Sequence, residues 1–143
     1  MRYHLVLSGL ALAVSLSAGC MGDKSGIEED AVATQGKVTN AGQPLTTSDP
    51  VYGYVEVVFI SVPEGDKPPE SFTARADASG SFSVAGKLGE GIPPGKYRIA
   101  VRQWDPWPDT DKLERKFDEQ NTKIVREVTG EGDINIDVSK PEG

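Results

Sequence analysis

The sequence predicts an all-β fold, an antiparallel β-sandwich of about seven strands. Two observations carry this expectation. From Gln35 onward apolar residues recur with period two, the spacing of a strand that buries one face. The 16 Gly and 10 Pro of the 143 residues fall largely between those alternating runs, where turns are needed.

Residues 36–39 form the first predicted strand, closed by Asn40-Ala41-Gly42. Residues 54–60 form the strongest one. Val55, Val57 and Phe59 face one way there, and Tyr54, Glu56, Val58 and Ile60 the other. A polar, proline-rich loop follows over 63–69. Residues 71–77 put Phe72, Ala74 and Ala76 on one face. Asp77-Ala78-Ser79-Gly80 reads as a tight turn, with Asp bonding its own backbone and Gly supplying a positive φ. Residues 81–85 turn Phe82 and Val84 inward, and 86–95 is a glycine- and proline-rich crossing. Residues 96–103 alternate cleanly: Tyr97, Ile99 and Val101 inward, Lys96, Arg98, Ala100 and Arg102 outward. Residues 104–121 break the pattern, with a short helix predicted around 111–117. A strand of undefined phase resumes over 122–129. Residues 133–139 close the fold with Ile134, Ile136 and Val138 inward.

The chain opens MRYHLVLSGLALAVSLSAGC and turns polar at once. Arg2 and His4 precede an apolar run over 5–16, shorter than the roughly 20 residues of a permanent span. A basic start, a short apolar run and a small-residue exit make a secretory signal peptide. Ser17-Ala18-Gly19-Cys20 resembles the lipobox of bacterial lipoproteins. That resemblance implies a diacylglycerol on the Cys20 thiol, cleavage just before Cys20, and acylation of the new amine with a fatty acid such as palmitate. The residues themselves also admit a plain signal peptide with Cys20 a bystander. The expected organisation is a signal peptide over 1–19 and a lipidated flexible tether over 20–34. A sandwich domain over 35–139 and a tail over 140–143 complete it. The expected location is the cell envelope, exported from the cytoplasm and held to a membrane on its periplasmic or outer face by lipid on Cys20.

Composition narrows the chemistry. The formal charge is −7 with the acids spread along the chain, so there is no basic stripe for nucleic acid. The single His, His4, lies in the segment expected to be removed, and the single Cys is expected to carry lipid. A body without imidazole or free thiol excludes Ser-His-Asp and Cys-His catalysis, ordinary zinc sites, His- or Cys-ligated haem and disulfides. No enzyme and no cofactor is expected.

Three stretches resemble carboxypeptidase-regulatory-like domains, relatives of the transthyretin sandwich. Gly36-Lys37-Val38-Thr39 with Gly42 and Pro44-Leu45 is similar to their opening strand and turn. Asp77-Ala78-Ser79-Gly80-Ser81-Phe82 is similar to their Asp-x-x-Gly-x-Phe turn. Ile92-Pro93-Pro94-Gly95-Lys96-Tyr97 is similar to their Pro-x-Gly-x-Tyr strand entry. The resemblance implies a transthyretin-like (prealbumin-like) Greek-key sandwich with a structural or binding role, meeting envelope proteins or polysaccharide.

Two sets of candidate site residues remain. Trp104 and Trp107 could stack on sugar rings, as in a carbohydrate-binding module, or cover an open sheet edge. Asp105, Asp109 and Asp111 could offer oxygen ligands to Ca²⁺, although their spacing is not that of an EF-hand. The same acids could in principle serve a small hydrolase.

Overall fold

The computed structural model describes residues 31–142. The expected signal peptide, the lipobox-like stretch and most of the expected tether lie outside the described residues.

Eight strands form two sheets. β1 (Thr34–Asn40) is the spine of the first. β2 (Gln43–Pro44) and β5 (Ser81–Val84) pair with one edge of β1, and β8 (Ile134–Asp137) with the other. The second sheet has the order β4 (Ser71–Ala76), β3 (Tyr54–Ser61), β6 (Gly95–Trp104), β7 (Val125–Val128). The central β3–β6 ladder runs without a break from Tyr54↔Trp104 to Ser61↔Tyr97.

The faces are set by the period-two pattern. Val55, Val57 and Phe59 of β3 and Tyr97, Ile99 and Val101 of β6 are buried against Val38, Phe82, Val84 and Ile136 of the other sheet. Phe59 is the hub of the seam, 5.9 Å from Phe82 across the sandwich and 6.0 Å from Tyr97 beside it. Edge-to-face and tilted ring pairs at such separations add to the burial itself. Tyr97 buries its ring and donates its hydroxyl proton to the Pro93 carbonyl at 2.7 Å, so the polar tip is satisfied. Outside this seam, Val58, Ile60 and Ala100 form a second small cluster on the outer face of the second sheet.

The 77–80 turn carries the chain from β4 in one sheet to β5 in the other. The Asp77 carboxylate accepts the Ser79 and Ser81 N–H groups, and Gly80 sits at φ 76°. A Cβ on Gly80 would also meet the Val38 carbonyl oxygen at 2.5 Å. Gly36 answers a different need: β1 and β8 approach so closely that a Cβ there would lie 1.9 Å from the Ile134 carbonyl oxygen.

Three expectations need correction. First, the sandwich is antiparallel as expected except in one pairing, where β8 runs parallel to β1. β7 ends opposite Gly95, at the pole where β1 begins, so the short link to β8 enters the first sheet from that same pole. Second, residues 111–117 form consecutive turns and no helix. Glu114 and Arg115 have φ of 54° and 62°, which a right-handed helix excludes. The Asp111 carboxylate captures the Leu113 and Arg115 N–H groups, a local alternative to helical bonding. Third, the end of the expected tether belongs to the domain. Val32 exchanges backbone hydrogen bonds with Ile92 and packs on the core, and Thr34 opens β1.

The turns over 111–122 have a structural task. The chain doubles back along β6 beyond the end of β7, so that Ile99 N–H reaches the Ile124 carbonyl and Val101 N–H the Phe117 carbonyl. The exposed ladder of β6 is thereby paired. Asp118, 0% exposed, holds this segment. Burial pushes its pKa up, but the Arg115 guanidinium and the Asn121 and Gln120 N–H groups outweigh that and keep it below the ordinary carboxylate value.

Ile99→Ala should cost about 2–5 kcal/mol in urea unfolding, as for other buried aliphatic truncations. Lys96→Ala, three residues earlier on the solvent side of the same strand, should stay within about 0.5 kcal/mol. A second expectation concerns Asp137, which ties the β1–β2 turn to β8. Its carboxylate accepts the Ser139 hydroxyl and N–H and the Ala41 and Gly42 N–H groups, and its pKa falls from 3.8 to about 2. The folded value lies below the unfolded one. The contribution is therefore complete above pH 3.8 and is lost as pH falls through about 2. Asp137→Asn should lower Tm at neutral pH, with the gap to the natural protein closing in thermal melts taken toward pH 2.

Candidate functional site

Two loops meet at the pole where β3 begins and β6 ends. Residues 45–53 lead into β3, and 105–110 leave β6. Both are stitched together by hydrogen bonds. Ser48 gives its N–H and hydroxyl to the Asp105 carboxylate, each at 2.8 Å. The Gln103 amide donates to the Thr46 carbonyl at 2.6 Å, and the Trp107 N–H to the Tyr52 carbonyl at 2.7 Å. Asp49 closes its own turn by accepting the Val51 N–H, and its carbonyl accepts the Gly53 N–H. The Ser48 N–H and then its hydroxyl hold the Asp105 carboxyl below its ordinary range, against the opposing effect of burial.

These fixed loops present large rings to solvent. Trp107 is 54% exposed, Tyr52 67% and Val51 79%. With Tyr54 and Arg75 they line a shallow concavity of about 220 Å³. Tyr54 leaves β3 on its outer face, and the Trp107 ring lies 6.4 Å from it at an interplanar angle of 34°. The Arg75 guanidinium stacks on the Tyr54 ring at 3.9 Å. Rigid loops at one end of a sandwich, carrying exposed aromatics, are a common way to build a recognition surface.

The two tryptophans are separated by this arrangement. Trp104 lies on the outer face of β6, half-buried, with its indole N–H toward Glu56 at 3.4 Å and Arg102 over its ring at 5.5 Å. It opens on a different concavity, shared with Arg102, Asp109, Asp111 and Arg115. The stretch of β6 beyond β7 is paired by the backbone of Phe117 and Ile124.

The three candidate calcium ligands are not brought together. Asp105 points at Ser48, and both Asp111 oxygens accept backbone N–H groups of Gln103, Leu113 and Arg115. Asp109 is exposed on the loop. Among the described residues no group of three His, Cys, Asp or Glu is placed to hold a metal ion. The Asp105 oxygens, committed to Ser48, tie one loop to another.

Tyr52, Tyr54 and Arg75 were missed as site residues. The signal was present in part: alternation puts Tyr54 and Arg75 on the outer faces of β3 and β4. Nothing in sequence spacing brings Tyr52 to Trp107. No protein-family model matches this chain, and no curated protein or solved structure matches it either.

Asp105→Ala should release the 45–53 loop without unfolding the sheets. Near-ultraviolet circular dichroism should lose tryptophan and tyrosine intensity while the far-ultraviolet strand signal persists. An unchanged near-ultraviolet spectrum would show that the Ser48 contact does not order the patch.

Proposed function

We propose that this chain is a non-enzymatic, lipid-anchored protein of the cell envelope. It displays a sandwich domain that binds an envelope protein or polysaccharide through the Trp107 patch. The observation that carries the reading is the position of that patch. Val32, near the start of the described residues, lies beside Ile92 and the first residues of β6. Trp107 and Tyr52 lie at the other end of β3 and β6. The eight residues of β3 separate the two poles by about 25 Å. A tether entering at one pole therefore leaves the aromatic surface facing away from whatever holds Cys20.

Two further points support it. The lipobox-like Ser17-Ala18-Gly19-Cys20 gives a chemical means of anchoring, and two or more acyl chains are what a lasting hold on a bilayer requires. The similarity of the 36–45, 77–82 and 92–97 stretches to carboxypeptidase-regulatory-like, transthyretin-related domains favours a structural or binding task. The patch draws on Trp107 with Tyr52 and Tyr54, so a carbohydrate-binding reading survives without Trp104.

Mass spectrometry of the natural protein should find a diacylglyceryl group on Cys20 as the first residue, and Cys20→Ser should move the protein from the membrane to the soluble fraction. Retention of the purified full-length protein on washed envelope material should fall about tenfold in Trp107→Ala, the scale of losing one aromatic anchor. An unmodified Cys20 would remove the anchor. Undiminished retention by a folded Trp107→Ala would remove the patch.

A further inference from the structure

The Trp107 patch contains a cation, Arg75, that no carboxylate among the described residues pairs. Arg102 is paired with Glu56 at 3.8 Å and with Glu119, and Arg115 with Asp118 at 2.9 Å. Arg98 donates to the Glu119 carbonyl, and Arg126 to the Val125 carbonyl. Among the described residues no hydrogen bond or ion pair joins Arg75 to a carboxylate or carbonyl; it stacks on the Tyr54 ring, and its cross-strand neighbour Glu56 is paired with Arg102 instead. In an acidic chain, an arginine whose guanidinium carbon lies 3.9 Å over an aromatic ring, with its N–H groups left over, offers a fork suited to a carboxylate. The planar fork matches a carboxylate bidentately, and the stacking fixes its plane in advance.

Three features around Arg75 define the rest of the ligand. Trp107 and Tyr52 offer exposed ring faces, which suit the apolar face of a pyranose. The concavity, about 220 Å³, is smaller than the roughly 300–1,000 Å³ that encloses a whole drug-sized ligand. It is also shallow, so it suits one ring of a chain that passes across it. Finally there is one cation, not a stripe, so densely charged polyanions such as nucleic acid are poorly matched. A proline-rich peptide would use the aromatic rings but leave the Arg75 fork unanswered.

Resting on the binding role proposed above, we infer that the patch recognises a uronic-acid-containing polysaccharide. One sugar ring lies against Trp107 and Tyr52, and its carboxylate bonds to the Arg75 guanidinium.

The test is isothermal titration calorimetry of the full-length protein in mild detergent at low salt. The probes are oligogalacturonate, a neutral oligogalactoside of the same length and a proline-rich peptide. The natural protein should bind oligogalacturonate and prefer it to the neutral sugar by about tenfold or more, the scale of one charge-assisted hydrogen-bonded pair. Arg75→Gln should abolish that preference while keeping the weaker neutral binding. Trp107→Ala should remove both, with far-ultraviolet circular dichroism showing each variant folded. Equal affinity for acidic and neutral sugars, or a preference that survives Arg75→Gln, would overturn the assignment of the acid while leaving a glycan-binding patch. Binding of the peptide alone would overturn the glycan and leave the display role intact. Binding of none of the probes would overturn the inference. The display role itself would fall only if Trp107→Ala also left envelope retention unchanged.

Discussion

The structure depends on one constraint: two sheets must bury their inner faces against each other with no covalent help. The sole cysteine lies at position 20, outside the domain, so no disulfide can staple the body. What holds the sheets is an apolar seam in which Phe59 and Tyr97 of the second sheet interleave with Phe82 and Val38 of the first. Each such side chain contributes about 1.5–3 kcal/mol on burial. The long β3–β6 ladder supplies Val55, Val57, Phe59, Tyr97, Ile99 and Val101 to this core, and it also fixes where the loops at its two ends stand. Its lower end receives Val32, and its upper end launches the two loops that carry the aromatic patch.

Carboxylates take over where the strands stop. Asp77, Asp111, Asp118 and Asp137 each accept two or more backbone N–H groups, and Asp49 and Asp105 one each. Part of the net negative charge is thus built into the turns as hydrogen-bond acceptors and does more than keep the surface soluble. A charged acceptor makes a stronger bond to an N–H than a neutral one. This is how a chain rich in Gly and Pro keeps long connections ordered, including the 111–122 segment that pairs with β6. It is also how the Tyr52 and Trp107 loops become a fixed surface, which reduces the ordering cost of any ligand they meet.

Much of the fold was legible because a strand with one buried face writes itself at period two. Val55, Val57 and Phe59, then Tyr97, Ile99 and Val101, and finally Ile134, Ile136 and Val138 all face as alternation requires. The Asp77–Gly80 turn was legible because its residues act on their own backbone. The misreadings share a cause: partners distant in sequence. Residues 111–117 carry helix-forming types, yet their backbone is claimed by β6 and by Asp111. The parallel course of β8 follows from the pole at which β7 ends, and Val32 joins the domain because Ile92 receives it. The site was half legible for the same reason. Trp107 announces itself as an aromatic among prolines, but its neighbours Tyr52 and Arg75 come from a loop and a strand that only the folded chain brings close.

The aromatic surface therefore depends on the two loops being as rigid as the sheets beneath them. Amide hydrogen exchange resolved by residue tests this most directly. Slow exchange is expected at the Ser48 N–H, bonded to Asp105, and at the Trp107 N–H, bonded to the Tyr52 carbonyl, alongside the slowest amides in β3 and β6. Ser48 and Trp107 amides exchanging at the rate of an unstructured chain while β3 and β6 stay protected would contradict it, leaving a sandwich with no built recognition surface.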